Sequence, residues 1–482
     1  MSGPIRLPQL PVDILHAIVD ELVVDFDSQN SDQWVRHQNR LRRIFYSKEL
    51  LTLRLVCREF CHIVSPRIFR TLKLTHTLPS IRGFTAMLRS PWVAPCVQSV
   101  KYQYWDPEPY RYETPADEVQ EARSARVEIR ELLQHALSCL HELPSLHSLS
   151  IRFGDIAPLP AELDAIRDDL NVVLSALLVL GTKAPGALSA FSLSRLPPIH
   201  LPQYDDPAFR ALLAGLDQLE IHTAGTDAWS ALTTPPLPQD LISPCEPFFS
   251  RTLPRCLLPA STPAPPTAFA HLEALALSFS DPVGVFYLSY NFADLFFPAL
   301  RALRLQHVQF SAARDAEHLV TRHANTLLEL HIAHCQIAVP QNGTENPQAA
   351  VAAAFAAARN SINNSINGNP QPLPLPPPDD DAFDGWPVVP RPWSDIYTEF
   401  MNKLGRLVFL DVQDPWWLSF PDRYVTYSPS VVMQFLEDGR EDDIRALEAF
   451  HRTVEERAKS LGIEYKPAIR IPDEDEFICD CH

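Results

Sequence analysis

Residues that could bind a metal ion are few and scattered in this sequence. The densest group is the segment Cys479-Asp480-Cys481-His482, which holds two thiols and an imidazole within four residues. A structural zinc site has four protein ligands held in place by supporting structure, and no second group of this kind accompanies the segment. We therefore interpret it as part of a solvated tail, and we expect no bound metal and no cofactor.

Sequence motifs of common enzymes are also absent. The chain has no phosphate-binding glycine loop, no nucleophile elbow, no His-Glu-x-x-His motif and no Cys-x-x-Cys pair. His16, His62 and His331 each fall in a segment with apolar periodicity, which favours packing or surface roles over metal ligation. We expect a protein that is not an enzyme.

The elements that organise the chain lie near its start, in two short runs. In the first, at 10–18, Pro11 suits a first helical turn, and Asp13 lies near the positive end of the helix dipole. The second run, at 50–64, predicts another helix. Two short helices cannot bury all of its apolar surface, so the surplus must meet the rest of the chain or another protein. The residues that suggest this second helix are Leu51, Leu55, Val56, Cys57 and Phe60.

Three sequence patterns carry a resemblance. Leu-Pro-x-Asp-Ile-Leu-x-x-Ile at 10–18, Leu-x-Leu-Val-Cys-Arg-x-Phe at 53–60 and Ile-Phe-Arg-x-Leu at 68–72 together resemble an F-box of the form common in fungal F-box proteins. The resemblance implies a small helical unit that binds the Skp-type adaptor of SCF ubiquitin ligases and, through it, a cullin. By motif position, the adaptor-binding residues would be Leu10, Pro11, Ile14, Leu15, Ile18, Val56 and Cys57, with Leu53 and Phe60 internal.

Residues 23–49 depart from the family, because they form a longer connection between the two runs than an F-box usually has. Long surface insertions cost little closure entropy, so the fold can accommodate one. An ordinary helical hairpin at the start of a helical domain is the alternative interpretation of the whole segment.

A recurring Leu-x-x-Leu-x-x-Leu-x-Leu phrase follows the front segment. Its last residues stand at 74, 102, 151, 193, 221, 277, 305, 332 and 412, with four steps of 27 or 28 residues and one of 56. This period is typical of leucine-rich repeats, in which each phrase ends in a short strand. Helical stretches at 117–142 and 162–180 lie between phrases. The alternative is plain helical periodicity in a leucine-rich chain.

Low-complexity tracts interrupt the repeats and divide the chain. Proline-rich sequence at 233–268 predicts a surface loop, and the Ala-, Asn- and Pro-rich tract that follows cannot bury enough apolar surface to order itself. The expected regions are an F-box at 5–74 with its insertion at 23–49, a solenoid at 75–337, a disordered insertion at 338–393, a final repeat with a helical cap at 394–465, and an acidic tail at 466–482.

Aromatic residues concentrate just after the last phrase. Trp416, Trp417 and Phe420 would lie on the rim of a solenoid, where loops leave the strand ends, so they are candidates for substrate binding. The alternative is a hydrophobic cap that seals the final repeat.

Composition and charge restrict the class of protein. Of the 482 residues, 46% are hydrophobic and 21% are charged, which is typical of a globular chain. The net charge of −18 argues against nucleic acid or an anionic membrane as a partner, and no apolar run has the length of a membrane span. Nine irregularly spaced cysteines do not form a disulfide framework, so we expect an intracellular protein, cytoplasmic or nuclear.

These observations predict an α/β fold, in which a small helical F-box module precedes an irregular leucine-rich-repeat-like solenoid of short parallel strands alternating with helices. The expected function is a substrate-recognition adaptor of an SCF-type cullin ubiquitin ligase, with an unknown protein substrate bound by the repeats. The alternative is a non-catalytic interaction scaffold whose F-box-like segment only caps the solenoid. An adaptor leaves Leu10, Pro11, Ile14 and Val56 exposed, whereas a cap buries them.

Overall fold

The chain forms two compact units in the computed structural model, Met1–Ile151 and Arg152–His482. Each unit contains helices and short strands. The structure describes residues 11–22, 50–104, 116–154, 163–224, 247–257, 269–283, 292, 295–310, 316–339, 391–413, 424–426, 434–435 and 440–465.

The first unit opens with helices. Helix α1 (Val12–Leu22) follows Pro11, residues 50–54 are helical, and α2 (Arg58–Ile68) begins after Cys57. Strands and longer helices then alternate. They are β1 (Thr71–Thr75), α3 (Leu78–Leu88), β2 (Ser99–Gln103), α4 (Ala116–Ser138) and β3 (Ser148–Arg152).

The second unit continues the alternation with a larger number of strands. Its order is α5 (Leu163–Lys183), β4 (Ala190–Leu196), α6 (Pro207–Leu213), β5 (Gln218–Thr223), a π-helical turn (Phe248–Thr252), α7 (Leu253–Leu257), β6 (Ala274–Val283), β7 (Ala302–Phe310), α8 (Ala316–Arg322), β8 (Glu329–Ala333), β9 (Gln336–Val339), α9 (Trp393–Lys403), β10 (Phe409–Gln413), β11 (Tyr424–Thr426), β12 (Gln434–Phe435) and α10 (Arg440–Ser460).

Parallel pairing dominates the sheet of the second unit. Strands β4, β5, β6, β7, β8 and β10 lie side by side in chain order, and each pair is parallel. Strand β9 pairs with the end of β7 and with β11, and the short β12 runs antiparallel to β11. Parallel neighbours need crossover connections, and helices lie in most of them; between β6 and β7 the described residues contain no helix.

The leucine phrases set the register of these strands. Each phrase ends on a buried apolar residue, and in every described pair these residues lie directly opposite one another. In the first unit Leu74 faces Tyr102. In the second unit the row runs through Leu193, Ile221, Leu277, Leu305, Ile332 and Val412.

A backbone hydrogen-bond pattern repeats at the strand starts. One carbonyl before each strand accepts two consecutive N–H groups from the next repeat; Arg301 O, for example, accepts from Leu328 N at 2.7 Å and Glu329 N at 2.9 Å. The same arrangement occurs at the starts of β2, β3, β5, β6, β7 and β10. It satisfies polar groups that would otherwise be buried without partners, and it ties each repeat to the preceding one.

The predicted α/β architecture of short parallel strands alternating with helices is confirmed, and it is consistent with a solenoid-like fold. Helices predicted at 117–142 and 162–180 occur as α4 and α5. The insertion at 23–49, most of the loop at 233–268, nearly all of 338–393 and the tail at 466–482 lie outside the described residues.

Candidate functional site

The front helices pack around a small apolar cluster. Leu15 and Val19, four residues apart on α1, are buried against Leu50 and against Phe60 and Val64, which are four residues apart on α2. Residues at this spacing share one face of a helix, which explains why the two helices present matching stripes. Leu53, Cys57, Ile63 and Ile68 pack against this cluster and are partly buried.

Polar contacts complete the packing of these helices. The Arg67 guanidinium lies 3.4 Å from His16 Nδ1 and so links α2 to α1. The Arg54 guanidinium lies 5.0 Å from the centre of the Phe69 ring, a cation–π distance that joins the helical residues 50–54 to the end of α2. Hydrogen bonds from Ser65 and Arg54 lower the pKa of Cys61, whose Sγ lies 3.7 Å from Ser65 Oγ.

Several large apolar side chains of α1 and of residues 50–56, which we call the front module together with α2, point to solvent. They flank the buried cluster without joining it. Two of them lie in the turn that ends the helical residues 50–54: Leu55 N–H donates to Thr52 O and Val56 N–H to Leu53 O, before α2 begins. The exposed fractions are 57% for Val12, 47% for Ile14, 42% for Leu51, 82% for Leu55 and 56% for Val56.

This exposure is concentrated in the front module. Ten large apolar side chains are exposed among the described residues of the whole chain, and five of them belong to Val12–Val56. Single exposed apolar residues are ordinary on protein surfaces, but a local concentration marks an interaction surface. We call these five residues, together with the exposed Pro11, the front apolar surface.

The residues predicted to bind the adaptor have different environments. Pro11, Ile14 and Val56 are exposed, while Cys57 is half-buried and precedes α2. Leu15 differs from the prediction: its side chain is 1% exposed inside the cluster, because α1 turns this position toward α2, so it contributes to packing and not to the surface. Leu10 and the side chain of Ile18 lie outside the described residues.

Two residues predicted to be internal pack inside the front helices. Phe60 is fully buried, and Leu53 packs against the cluster. Val12, Leu51 and Leu55 were not assigned to partner binding from the motif. The surplus apolar surface of the run at 50–64 was the available signal for Leu51 and Leu55.

The candidate residues for substrate binding and metal binding form no site within the part of the chain that the structure describes. Trp416, Trp417 and Phe420, and the segment Cys479–His482, lie outside the described residues. Within the described ranges, His, Cys, Asp and Glu side chains form no group of three or more able to hold a metal ion. In the same ranges, no helix combines the length and apolar character needed to cross a membrane.

Comparison with known proteins adds no assignment: no protein-family model matches the chain, and no curated protein matches it. The front apolar surface therefore has to be interpreted from its own geometry.

Proposed function

We propose that this chain is a substrate-recognition adaptor of an SCF-type cullin ubiquitin ligase. The front apolar surface would bind a Skp-type adaptor, and the repeats would bind a protein substrate. The observation that carries the proposal is the exposure of Pro11, Ile14 and Val56, which the F-box resemblance assigns to adaptor binding.

The burial pattern bears on the choice between adaptor and scaffold. A front segment that only caps the repeats would bury these three side chains, because terminal repeats are covered to keep their apolar faces from water. In the described structure the buried residues of α1 and α2 pack on each other, and the motif residues beside them remain in solvent. This pattern favours the adaptor.

The proposed mechanism needs no catalytic group in this chain. A bound substrate would be held near the ubiquitin-charged enzyme of the complex, and the resulting increase in effective concentration would accelerate transfer. The interaction with the adaptor would be mainly hydrophobic, since it would remove exposed apolar side chains such as Ile14 and Val56 from water.

A pull-down of a Skp-type adaptor and a cullin tests the proposal. We expect binding to the intact chain and its loss in Ile14→Asp and in Val56→Asp, because each change places a charge in a desolvated apolar contact. Val127→Asp is the matched control: Val127 is 52% exposed on α4 of the same unit, and its replacement should leave binding intact.

Circular dichroism establishes whether each variant is folded. Binding that is lost only in folded front-surface variants supports the adaptor. Absence of binding by the intact chain, or equal loss in Val127→Asp, would contradict it and favour the scaffold.

A further inference from the structure

A group of basic side chains lies on the polar face of the sheet in the second unit. Strands β5 and β7 bury alternate residues, so Glu220, His222 and Arg304 lie on the face opposite the core. Arg304 is exposed, as is Arg152, which ends β3 and is the first residue of the second unit. Phe153 N–H donates to Ser194 O at 2.9 Å, which places Arg152 beside β4.

A bulge in β4 brings Arg195 to the same place. Leu193 pairs with Ile221 and Leu196 pairs with Thr223, so two residues of β4, Ser194 and Arg195, face the single residue His222 of β5. Arg195 has a φ of 56°, in the left-handed region that arginine rarely adopts. Bulges of this kind redirect a side chain, and backbone strain at a residue is a pointer to function.

The charges in this group act on His222. Burial lowers the pKa of His222, and the positive charges of Arg195, Arg152 and Arg304 lower it further, while Glu220 acts in the opposite direction. Burial and the neighbouring Arg152 lower the pKa of Arg195. The charges of three guanidinium groups and one carboxylate therefore act on His222, which lies on β5 between the strands that carry them.

Short side chains lie between the arginines in the register of the strands. Arg304 pairs in register with Ala276, and Ala276 pairs with Glu220, while His222 pairs with Ser278. Ser192 Oγ and Ser278 Oγ donate to Glu220 and Gln306, both at 2.8 Å, so these short side chains lie along the sheet. Ala276 is half-buried and Ser278 is buried, so a peptide would contact the exposed Arg152 and Arg304 from the solvent side of the sheet.

We infer that the group formed by Arg152, Arg195 and Arg304 around His222, the basic cluster, binds an acidic peptide segment of a partner protein. Guanidinium groups pair with carboxylates through two parallel hydrogen bonds. Arg152 ends β3, Arg195 lies in the bulge near the end of β4, and Arg304 lies on the polar face of β7, so a peptide that contacts all three must cross β5 and β6. The chain as a whole carries a net charge of −18, so a long polyanion such as nucleic acid would meet repulsion outside the cluster, whereas a short acidic segment would not.

The inference rests on the proposed function in one respect: the partner is taken to be the substrate of the ligase. It deepens that proposal by stating the chemistry that a substrate segment must present. Binding of an acidic peptide can be measured on the full chain without any adaptor protein, so the two proposals can fail separately.

Fluorescence anisotropy with the full chain tests the inference. The probes are a labelled peptide of alternating glutamate and glycine and a matched peptide with glutamine in place of glutamate. We expect binding of the glutamate peptide alone, weakening with added salt, and roughly tenfold weaker binding in Arg152→Gln and in Arg304→Gln, since each removes a charge-assisted contact.

Arg301→Gln is the matched control. Arg301 is also an exposed arginine next to β7, but it forms an ion pair with Glu273 at 3.6 Å, away from the basic cluster. Its replacement should leave peptide affinity unchanged. All three variants should keep their melting temperatures and their adaptor pull-down, which separates a failure of this inference from a failure of the proposed function.

Four results would overturn the inference. The first two are no binding of the glutamate peptide at low salt, and binding of the glutamine peptide as tight as that of the glutamate peptide. The third is an affinity for the glutamate peptide in Arg152→Gln and Arg304→Gln that equals the affinity of the original chain. The fourth is binding of only a phosphoserine peptide or a single-stranded oligonucleotide, offered as further probes.

Discussion

Tyr424 donates its hydroxyl proton to Asp443 Oδ2 at 2.5 Å, inside the last part of the second unit. Both residues also receive backbone N–H groups from the start of α9: Trp393 N–H donates to the Tyr424 hydroxyl at 2.8 Å and Ser394 N–H to Asp443 Oδ1 at 2.7 Å. Pro392, which precedes α9, has no side-chain group to cap it. Two residues distant in sequence therefore satisfy amides that a helix start leaves unpaired.

We predict that Asp443→Ala lowers the free energy of unfolding by about 2 to 3 kcal/mol, because it removes hydrogen bonds to a charged group and leaves buried donors unsatisfied. Asp443 is 1% exposed. Asp442→Ala is the control, since the neighbouring carboxylate is 70% exposed in its pair with Arg445 and should contribute less than about 1 kcal/mol. Urea denaturation measures both. Equal losses would contradict the role assigned to Asp443.

Two helical glycines should respond in opposite ways to the same substitution. A Cβ on Gly181 of α5 would lie 2.1 Å from Ala208 O of α6, so Gly181→Ala must push the two helices apart and should destabilise the chain by about 1 to 3 kcal/mol. Among the described residues, no atom outside its own stretch of helix lies within 4 Å of a Cβ on Gly83 of α3, so Gly83→Ala should stabilise by up to about 1 kcal/mol. Thermal unfolding and denaturant titration measure the stability of each variant. Destabilisation by both substitutions would contradict the difference in packing between Gly181 and Gly83.

The pH dependence of stability should include a contribution from His451. Burial lowers its pKa to about 4, with Asp411 acting in the opposite direction, and its Nδ1 lies 2.7 Å from the Tyr465 hydroxyl. The unfolded chain then binds the proton more tightly than the folded chain. The contribution is therefore complete above the unfolded pKa of about 6.5 and is lost as pH falls toward about 4, by up to about 1.4 kcal/mol per pH unit.

His451→Gln removes this titration. The difference between the unfolding free energies of the original chain and the variant should decrease between pH 7 and pH 4.5 in urea denaturation. A difference that is constant with pH would show that His451 does not contribute.

The front apolar surface should affect the dye binding and light scattering of the free chain more than its free energy of unfolding. Leu55→Ala removes a side chain that is 82% exposed, so it should change the free energy of unfolding by less than about 0.5 kcal/mol and reduce both apolar-dye binding and light scattering. Leu15→Ala is the matched substitution in the core and should cost about 2 to 5 kcal/mol. Unchanged dye binding in Leu55→Ala would argue against an exposed apolar surface at this turn.

Much of the fold was predictable because the spacing of the leucine phrases indicates which strand residues are buried. Leu305 and Ile332 end successive phrases and lie opposite each other on β7 and β8, as the spacing of 27 residues implies. The exposure of Ile14 and Val56 also agrees with their motif positions. Leu15, which the motif placed on the surface, is buried, because the rotation of α1 against α2 depends on the packing of both helices.

Local patterns in the sequence alone therefore determined where strands and helices form, their parallel order, and the presence of surplus apolar surface near the start of the chain. They could do so because burial imposes a regular spacing on apolar residues. Only the tertiary structure decided that the charges of Arg152, Arg195 and Arg304 act on His222 and that Tyr424 and Asp443 cap α9. These arrangements depend on a bulge and on contacts between distant segments, whose geometry is set by the packing of the whole unit and leaves no periodic signal in the chain.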